Sequence, residues 1–328
     1  MKLDMKLHFI HLAYICLLMC LKIMKKFNFL ILMVLISCHL FAIRPDSTYL
    51  VTPNHYGLKY RVCDFYTEDS VRLVGWLIPA QKKVELDSMQ LPAFYNNPIN
   101  NQYNICDYLP KPTIIICDGD GGNMSYTIWM ANEFVGYGFN VFMFDWRGFG
   151  KSQGWEIDER LLVLPEFLKD YQAAINFVTL LPEVDSDRIC LYGFSTGFYL
   201  SFAMAVTNKN VKCIAGRGLI TTAKDLKDCL STVKDTTQII VPSNYPENLY
   251  PLNCATELTV PILIIVGEND ERTPVWMSEM VFSKIQSKKV LIVYPQEDHC
   301  SIEVNLRLSV FKEIANFFMV SLDQKQVD

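Results

Sequence analysis

The chain has 328 residues, 51% hydrophobic, 20% charged and 12% aromatic, enough to bury a large core and unlike a disordered or repetitive chain. The first 43 residues hold five lysines and one aspartate, which leaves 25 basic and 34 acidic residues, a net −9, for the remainder. A body that acidic is unsuited to nucleic acid, and to an anionic membrane surface reached through charge.

Residues 1–43 read as a hydrophobic export or anchor segment, outside the fold. After Met24, Lys25 and Lys26 precede an apolar run over 27–36, the layout of an export signal. The run ends in Leu35-Ile36-Ser37-Cys38, which resembles the lipobox of bacterial lipoproteins. That resemblance implies a signal over 24–38 and a lipid on Cys38, the first residue of the mature chain. An uncleaved membrane helix and an ordinary cleaved signal are the alternatives. All three take the body out of the cytoplasm into the cell envelope, and the lipoprotein or anchor reading ties it to the membrane.

The body, 44–328, reads as one α/β domain. "YRVCDFYT" and "VRLVGWLIPA" are two strands with "EDS" as the turn, an antiparallel pair. Residues 81–110 are rich in Asn and Pro, lack periodicity, and read as an inserted surface loop. Continuous apolar strands follow: "PTIIICDG", "FNVFMFDW", "DRICLYGF", "VKCIAG", "PILIIVG" and "KVLIVYP". Helical stretches are expected at 125–135, 163–180 and 195–207, and again after the last two strands. Strands that are apolar throughout and alternate with helices predict a mostly parallel central sheet with helices on both faces. The segment 218–259, without a clear strand, is expected as a short lid over the strand ends.

Within this pattern Gly193-x-Ser195-x-Gly197 follows a strand and opens a helix, the context of a nucleophile elbow. A serine hydroxyl is a weak nucleophile and needs a base, and the base needs an orienting carboxylate. Of five histidines, only His299 lies beyond Ser195, in the loop after the last strand, on the same rim of the sheet. Asp270, three residues past the strand ending at Gly267, is the leading carboxylate, with Glu268, Glu271 and Asp298 as alternatives. Aromatic residues near the rim (Trp146, Phe149, Trp155, Phe198) fit either an apolar acyl pocket or buried packing. Eleven cysteines form no Cys-x-x-Cys pair and no cluster of zinc spacing, so neither metal nor cofactor is expected.

The order Ser195, Asp270, His299 is that of the α/β-hydrolase fold. The body also resembles the single-domain serine hydrolases of the Bem46-like and serine aminopeptidase-like branch. "CDGDGGN" at 117–123 is similar to that family's HGNGGN loop, "FDWRGFGKSQG" at 144–154 to its DYRGYGKSEG, and "GENDERTP" to its acid loop. The resemblance implies an oxyanion hole made by the backbone N–H groups of Thr196 and Asp120. It departs from the family at Asp118 and Asp120, which stand where a histidine and an asparagine are usual, and at Phe198, where a small residue is usual. The function expected is a serine esterase acting on a small-molecule ester. Thioesterase, peptidase and acyltransferase activity use the same residues, and a binding protein without turnover is the rival from another class.

Overall fold

The computed structural model describes residues 43–83, 103–105, 107, 109–158, 161, 165–232 and 243–323. Cys38 and the export segment through residue 42 lie outside the described residues, as do the middle of the 81–110 insertion and residues 233–242 of the expected lid.

The central sheet is built from β1 (Arg61–Tyr66), β2 (Arg72–Ile78), β3 (Lys111–Cys117), β4 (Asn140–Phe144), β5 (Val184–Phe194), β6 (Val211–Arg217), β7 (Ile262–Gly267) and β8 (Lys289–Tyr294). Their order is β8-β7-β6-β5-β3-β4-β2-β1. Pairing is parallel from β8 through to β4, and β2 runs antiparallel to both β4 and β1. Alternation along β3 explains why its sequence is apolar throughout. Ile114 and Ile116 pack toward α1 (Ile128–Val135) and α6 (Arg307–Asp323). Ile115 and Cys117 pack toward α2 (Glu166–Thr179), α3 (Thr196–Thr207), α4 (Ala223–Thr232) and α5 (Val275–Lys284). All four are at most 3% exposed, and burying each isoleucine contributes about 1.5–3 kcal/mol. The result is the α/β-hydrolase fold, with helices on both faces of a mostly parallel sheet.

Helix α2 starts at Glu166, immediately after Pro165, later than the 163 expected from periodicity. The 81–110 insertion, expected as a surface loop, has paired strands at its base. Gln81–Lys83 pairs antiparallel with Tyr103–Ile105, so the insertion leaves and returns through a short ladder. The apolar pattern could not reveal this ladder, because an amide fixes its base. Buried Gln81 accepts from the Lys59 N–H and donates to the Lys59 and Pro79 carbonyls, each at 2.9 Å. The described part of 218–259 packs inward: Tyr250 stacks on Tyr245 at 4.7 Å, and Tyr245 meets Tyr199 of α3 at 6.4 Å.

One buried charge locks three elements together. Arg147, in the loop after β4, donates to Asp69 in the β1–β2 turn at 2.9 and 3.0 Å, and through Nε to Asp170 of α2 at 2.8 Å. Asp170 also accepts the Arg147 backbone N–H at 2.9 Å and is fully buried. Removing one partner of such a pair strands a charge in the interior. Asp170→Ala is expected to lower unfolding free energy by about 3–5 kcal/mol in urea titration, whereas exposed Asp187→Ala should leave it unchanged.

Candidate active site

The strand β5 ends at Phe194, and Ser195 follows with φ 52° and ψ −117°, a backbone conformation that a non-glycine residue adopts only under constraint. The constraint is close packing on either side. A Cβ on Gly193 would lie 2.5 Å from the Phe198 Cα, and one on Gly197 would lie 2.0 Å from the Cys117 carbonyl oxygen. Only glycine lets the first turn of α3 sit this near β3. The Ser195 N–H donates to the Arg217 carbonyl at 2.9 Å, which fixes the turn against β6.

His299 comes to this turn from the loop after β8. Its Nε2 is 3.3 Å from Ser195 Oγ, and its Nδ1 is 2.8 Å from Asp270 Oδ2. Asp270 is 4% exposed and well hydrogen-bonded. Its Oδ1 accepts the Arg272 and Thr273 N–H groups at 3.0 and 2.8 Å, and its Oδ2 accepts the Thr273 hydroxyl at 2.8 Å. Burial pushes the Asp270 carboxyl up, but His299 and Thr273 outweigh it and hold it below the usual carboxylate range. Thr273 Oγ also lies 3.2 Å from His299 Nδ1. Nothing in the order of residues singles out Thr273, whose contact with Asp270 and His299 comes from the tight turn after Asp270.

The other three carboxylates weighed for this position are exposed and occupied elsewhere or apart from the histidine. Glu268 accepts the Gln296 N–H at 3.1 Å, and Asp298 accepts the Cys300 and Ser301 N–H groups at 2.8 and 2.9 Å. Glu271 is exposed, and its carbonyl lies 3.4 Å from the Cys229 thiol of α4. The structure therefore brings together Ser195, His299 and Asp270. Of the rim aromatics, Trp146, Phe149 and Phe198 are at most 3% exposed and packed into the core, with Trp146 and Phe149 also lining a small cavity beside Asp118 and Gly119. Trp146 lies 4.5 Å from the Phe167 ring, and half-buried Trp155 lies 5.5 Å from the Arg147 guanidinium.

Thr196 is the first residue of α3, where a backbone N–H has no acceptor within its own helix. Asp120 sits half-buried in the Gly-rich loop, its carbonyl accepting the Arg44 N–H at 2.9 Å. Burial raises its carboxyl, against the pull of Arg272, His299 and Arg44, and its own backbone N–H lies against that carboxylate. Asp118 accepts a short hydrogen bond from the Thr127 hydroxyl. Burial, opposed by Thr127 and reinforced by the Asp145 charge, pushes it up to about 7. Among the described residues, no group of three or more His, Cys, Asp or Glu could hold a metal ion.

Residues 124–325 match the model of the prolyl oligopeptidase family. The protein YfhR of Escherichia coli (strain K12) is 28% identical over 270 residues, covering 79% of this chain and 80% of that one. Protein bem46 of Schizosaccharomyces pombe is 25% identical over 251 residues, 76% of this chain and 73% of that one. Among solved structures, the Pyrococcus furiosus esterase Pf2001 superposes with a TM-score of 0.62 at 17% identity, over 85% of this chain and 97% of that chain. The Pyrococcus horikoshii acylaminoacyl peptidase superposes with a TM-score of 0.60 at 19% identity, over 83% of this chain and 43% of that chain.

The raised Asp118 makes a pH dependence testable. Its folded pKa of about 7 exceeds the unfolded value, so the proton it retains stabilises the fold fully below about pH 4. That stabilisation fades as pH rises to about 7. Asp118→Asn should therefore be more stable relative to wild type at pH 7 than at pH 4, as read from denaturation midpoints at the two values. An equal difference at both would show that Asp118 ionises normally.

Proposed function

We propose, for a chain that belongs to the prolyl oligopeptidase family of α/β-hydrolases in its Bem46-like branch, that it is a serine hydrolase cleaving carboxylic esters through an acyl-enzyme on Ser195. The observation that carries this reading is the unbroken relay from Ser195 Oγ to His299 Nε2 at 3.3 Å and from His299 Nδ1 to Asp270 at 2.8 Å, set on a strained turn. Support for an ester substrate comes from the fold shared with an esterase over 97% of that chain, and the fold shared with an acylaminoacyl peptidase over 43% of its chain keeps peptides as the second reading.

In this mechanism Ser195 Oγ attacks the ester carbonyl while His299 Nε2 takes its proton, and Asp270 holds the imidazole by Nδ1–H and balances its charge. The oxyanion forms near the N–H of Thr196, at the start of α3, with the Asp120 N–H as second donor. Donation from Asp120 requires its own carboxylate to be protonated or turned aside, and the engagement of its N–H by that carboxylate is the feature that favours the rival, a binding protein without turnover. The tetrahedral adduct collapses as His299 returns the proton to the leaving alcohol, and water repeats the sequence to release the acid. No metal or cofactor enters this scheme.

A fluorophosphonate probe and a panel of p-nitrophenyl esters of graded chain length test this reading. Ser195→Ala is expected to abolish labelling and to lower turnover by several orders of magnitude with the fold intact. Wild-type turnover in that variant would refute the assignment. Asp270→Asn should cost about three to four orders in turnover, while the matching amide at Glu268, Glu271 or Asp298 should cost far less.

We further propose that the chain is a lipoprotein held in the cell envelope through Cys38. The support is the sequence of residues 24–38 alone. Among the described residues, no helix is long and apolar enough to cross a membrane. Acylation with two or more chains at one terminus gives stable anchoring where a single chain is marginal. Metabolic labelling with a palmitate analogue should mark the wild type and not Cys38→Ala; an unlabelled wild type would rule the lipid out.

A further inference from the structure

Arg217 closes β6 with its carbonyl on the Ser195 N–H, but its side chain reaches a different set of partners. Its Nε donates to the Glu303 carboxylate, and its Nη1 donates to the main-chain carbonyl of His299. Its guanidinium carbon lies 3.6 Å from the centre of the Phe194 ring, which in turn lies 5.2 Å from the His299 imidazole. Glu303, in the short helix Ile302–Asn305 just past His299, also accepts the Tyr192 hydroxyl at 2.6 Å. Arg217 is 5% exposed and Glu303 and Tyr192 are 1% exposed.

A guanidinium this deep is tolerated only when its donors and its planar face are matched, and carboxylate, carbonyl and ring match them here. Core closure between β6 and the short helix would account for Glu303 alone. It does not account for the donor placed on the backbone of His299 itself, or for the aromatic ring that touches both guanidinium and imidazole. His299 stands on a loop outside the sheet, where, among the described residues, its ring has only Asp270 and Thr273 as side-chain hydrogen-bond partners apart from Ser195.

We propose that Arg217 is a positioning residue for His299, with Glu303 as its counter-ion. The guanidinium fixes the height of the histidine main chain above the sheet and, through Phe194, the plane of its ring, so that Nε2 faces Ser195. This rests on the reading of Ser195, His299 and Asp270 as a hydrolytic relay. A lysine cannot replace it, because an ammonium cannot reach Glu303 and the His299 carbonyl in a fork while lying flat on Phe194.

The test compares full-length wild type, Arg217→Lys, and the double variant Arg217→Met with Glu303→Gln. The double variant strands no buried charge and leaves an amide oxygen for the Tyr192 hydroxyl, so its thermal midpoint should stay near wild type. Its kcat on a p-nitrophenyl ester should fall about 100-fold at unchanged KM, the cost of a misplaced catalytic group, with only slight recovery in Arg217→Lys. A folded double variant with wild-type kcat would overturn the proposal. In protein labelled with 15N-histidine, the Nδ1–H proton that His299 shares with Asp270 should broaden or move in both variants. An unchanged resonance in both would also overturn it, whether or not the chain hydrolyses esters. Failure of the wild type to take up the fluorophosphonate would refute the nucleophile reading instead, leaving the proton resonance to decide positioning.

Discussion

Ser195 holds its left-handed backbone only while the first turn of α3 stays pressed against the ends of β3 and β5. Strain of this kind costs about 1–3 kcal/mol and persists only where the surroundings over-determine it. The surroundings here are apolar. All but two of the twelve residues of α3 are buried, including Phe198, Tyr199, Leu200 and Phe202. Side chains of that size each contribute about 1.5–3 kcal/mol on burial, so the helix is held far more strongly than the turn is strained. Phe198 belongs to this anchoring: its ring lies where a Cβ on Gly216 would meet it at 2.6 Å. Of the two readings open for Phe198 in the sequence, its full burial fits packing, and that packing helps keep the serine in place.

Apolar burial fixes the sheet, and buried charge fixes the loops above it. Arg147 joins the β1–β2 turn to the loop after β4 and to α2, and Arg217 joins the end of β6 to the His299 loop and to Glu303. Both guanidiniums reach from the ends of strands into loops that no backbone ladder holds. Planar, multi-donor cations suit such places, since one side chain can satisfy two or three loops that share no ladder.

The Gly-rich loop is held by a third means, a strap formed by residues 44–48. Arg44–Pro45 pairs in parallel with Gly121–Gly122, and the Arg44 N–H donates to the Asp120 carbonyl at 2.9 Å. Asn123 donates to the Asp46 and Thr48 carbonyls at 2.9 and 2.8 Å. The loop that resembles the family's oxyanion loop is thus tied to the first residues of the body. Asp118 departs from the family pattern without leaving a bare charge, because Thr127 donates to it and burial favours its protonated form.

The strands of the central sheet could all be read from the amino-acid sequence, the inner ones as short continuous apolar runs bounded by turns and the edge strand Arg61–Tyr66 as a run rich in β-branched and aromatic residues. Ser195, His299 and Asp270 could be read too, because chain order and spacing from a strand end are local properties. The ladder at Gln81–Lys83, Thr273 against His299, and the Arg217–Glu303 pair could not. Each depends on which distant residues meet. Arg217 and Glu303 are 86 residues apart, and nothing in "AGRGL" or "SIEVN" marks them as partners. Sequence placed four carboxylates near the rim, and tertiary packing buried one against the imidazole while leaving Glu268, Glu271 and Asp298 in solvent. Periodicity and local spacing determined the elements and the order in which Ser195, Asp270 and His299 follow strand ends. Strand order, burial of charge and the close approach of Gly197 to Cys117 decided the geometry, because those are contacts between segments far apart in the chain.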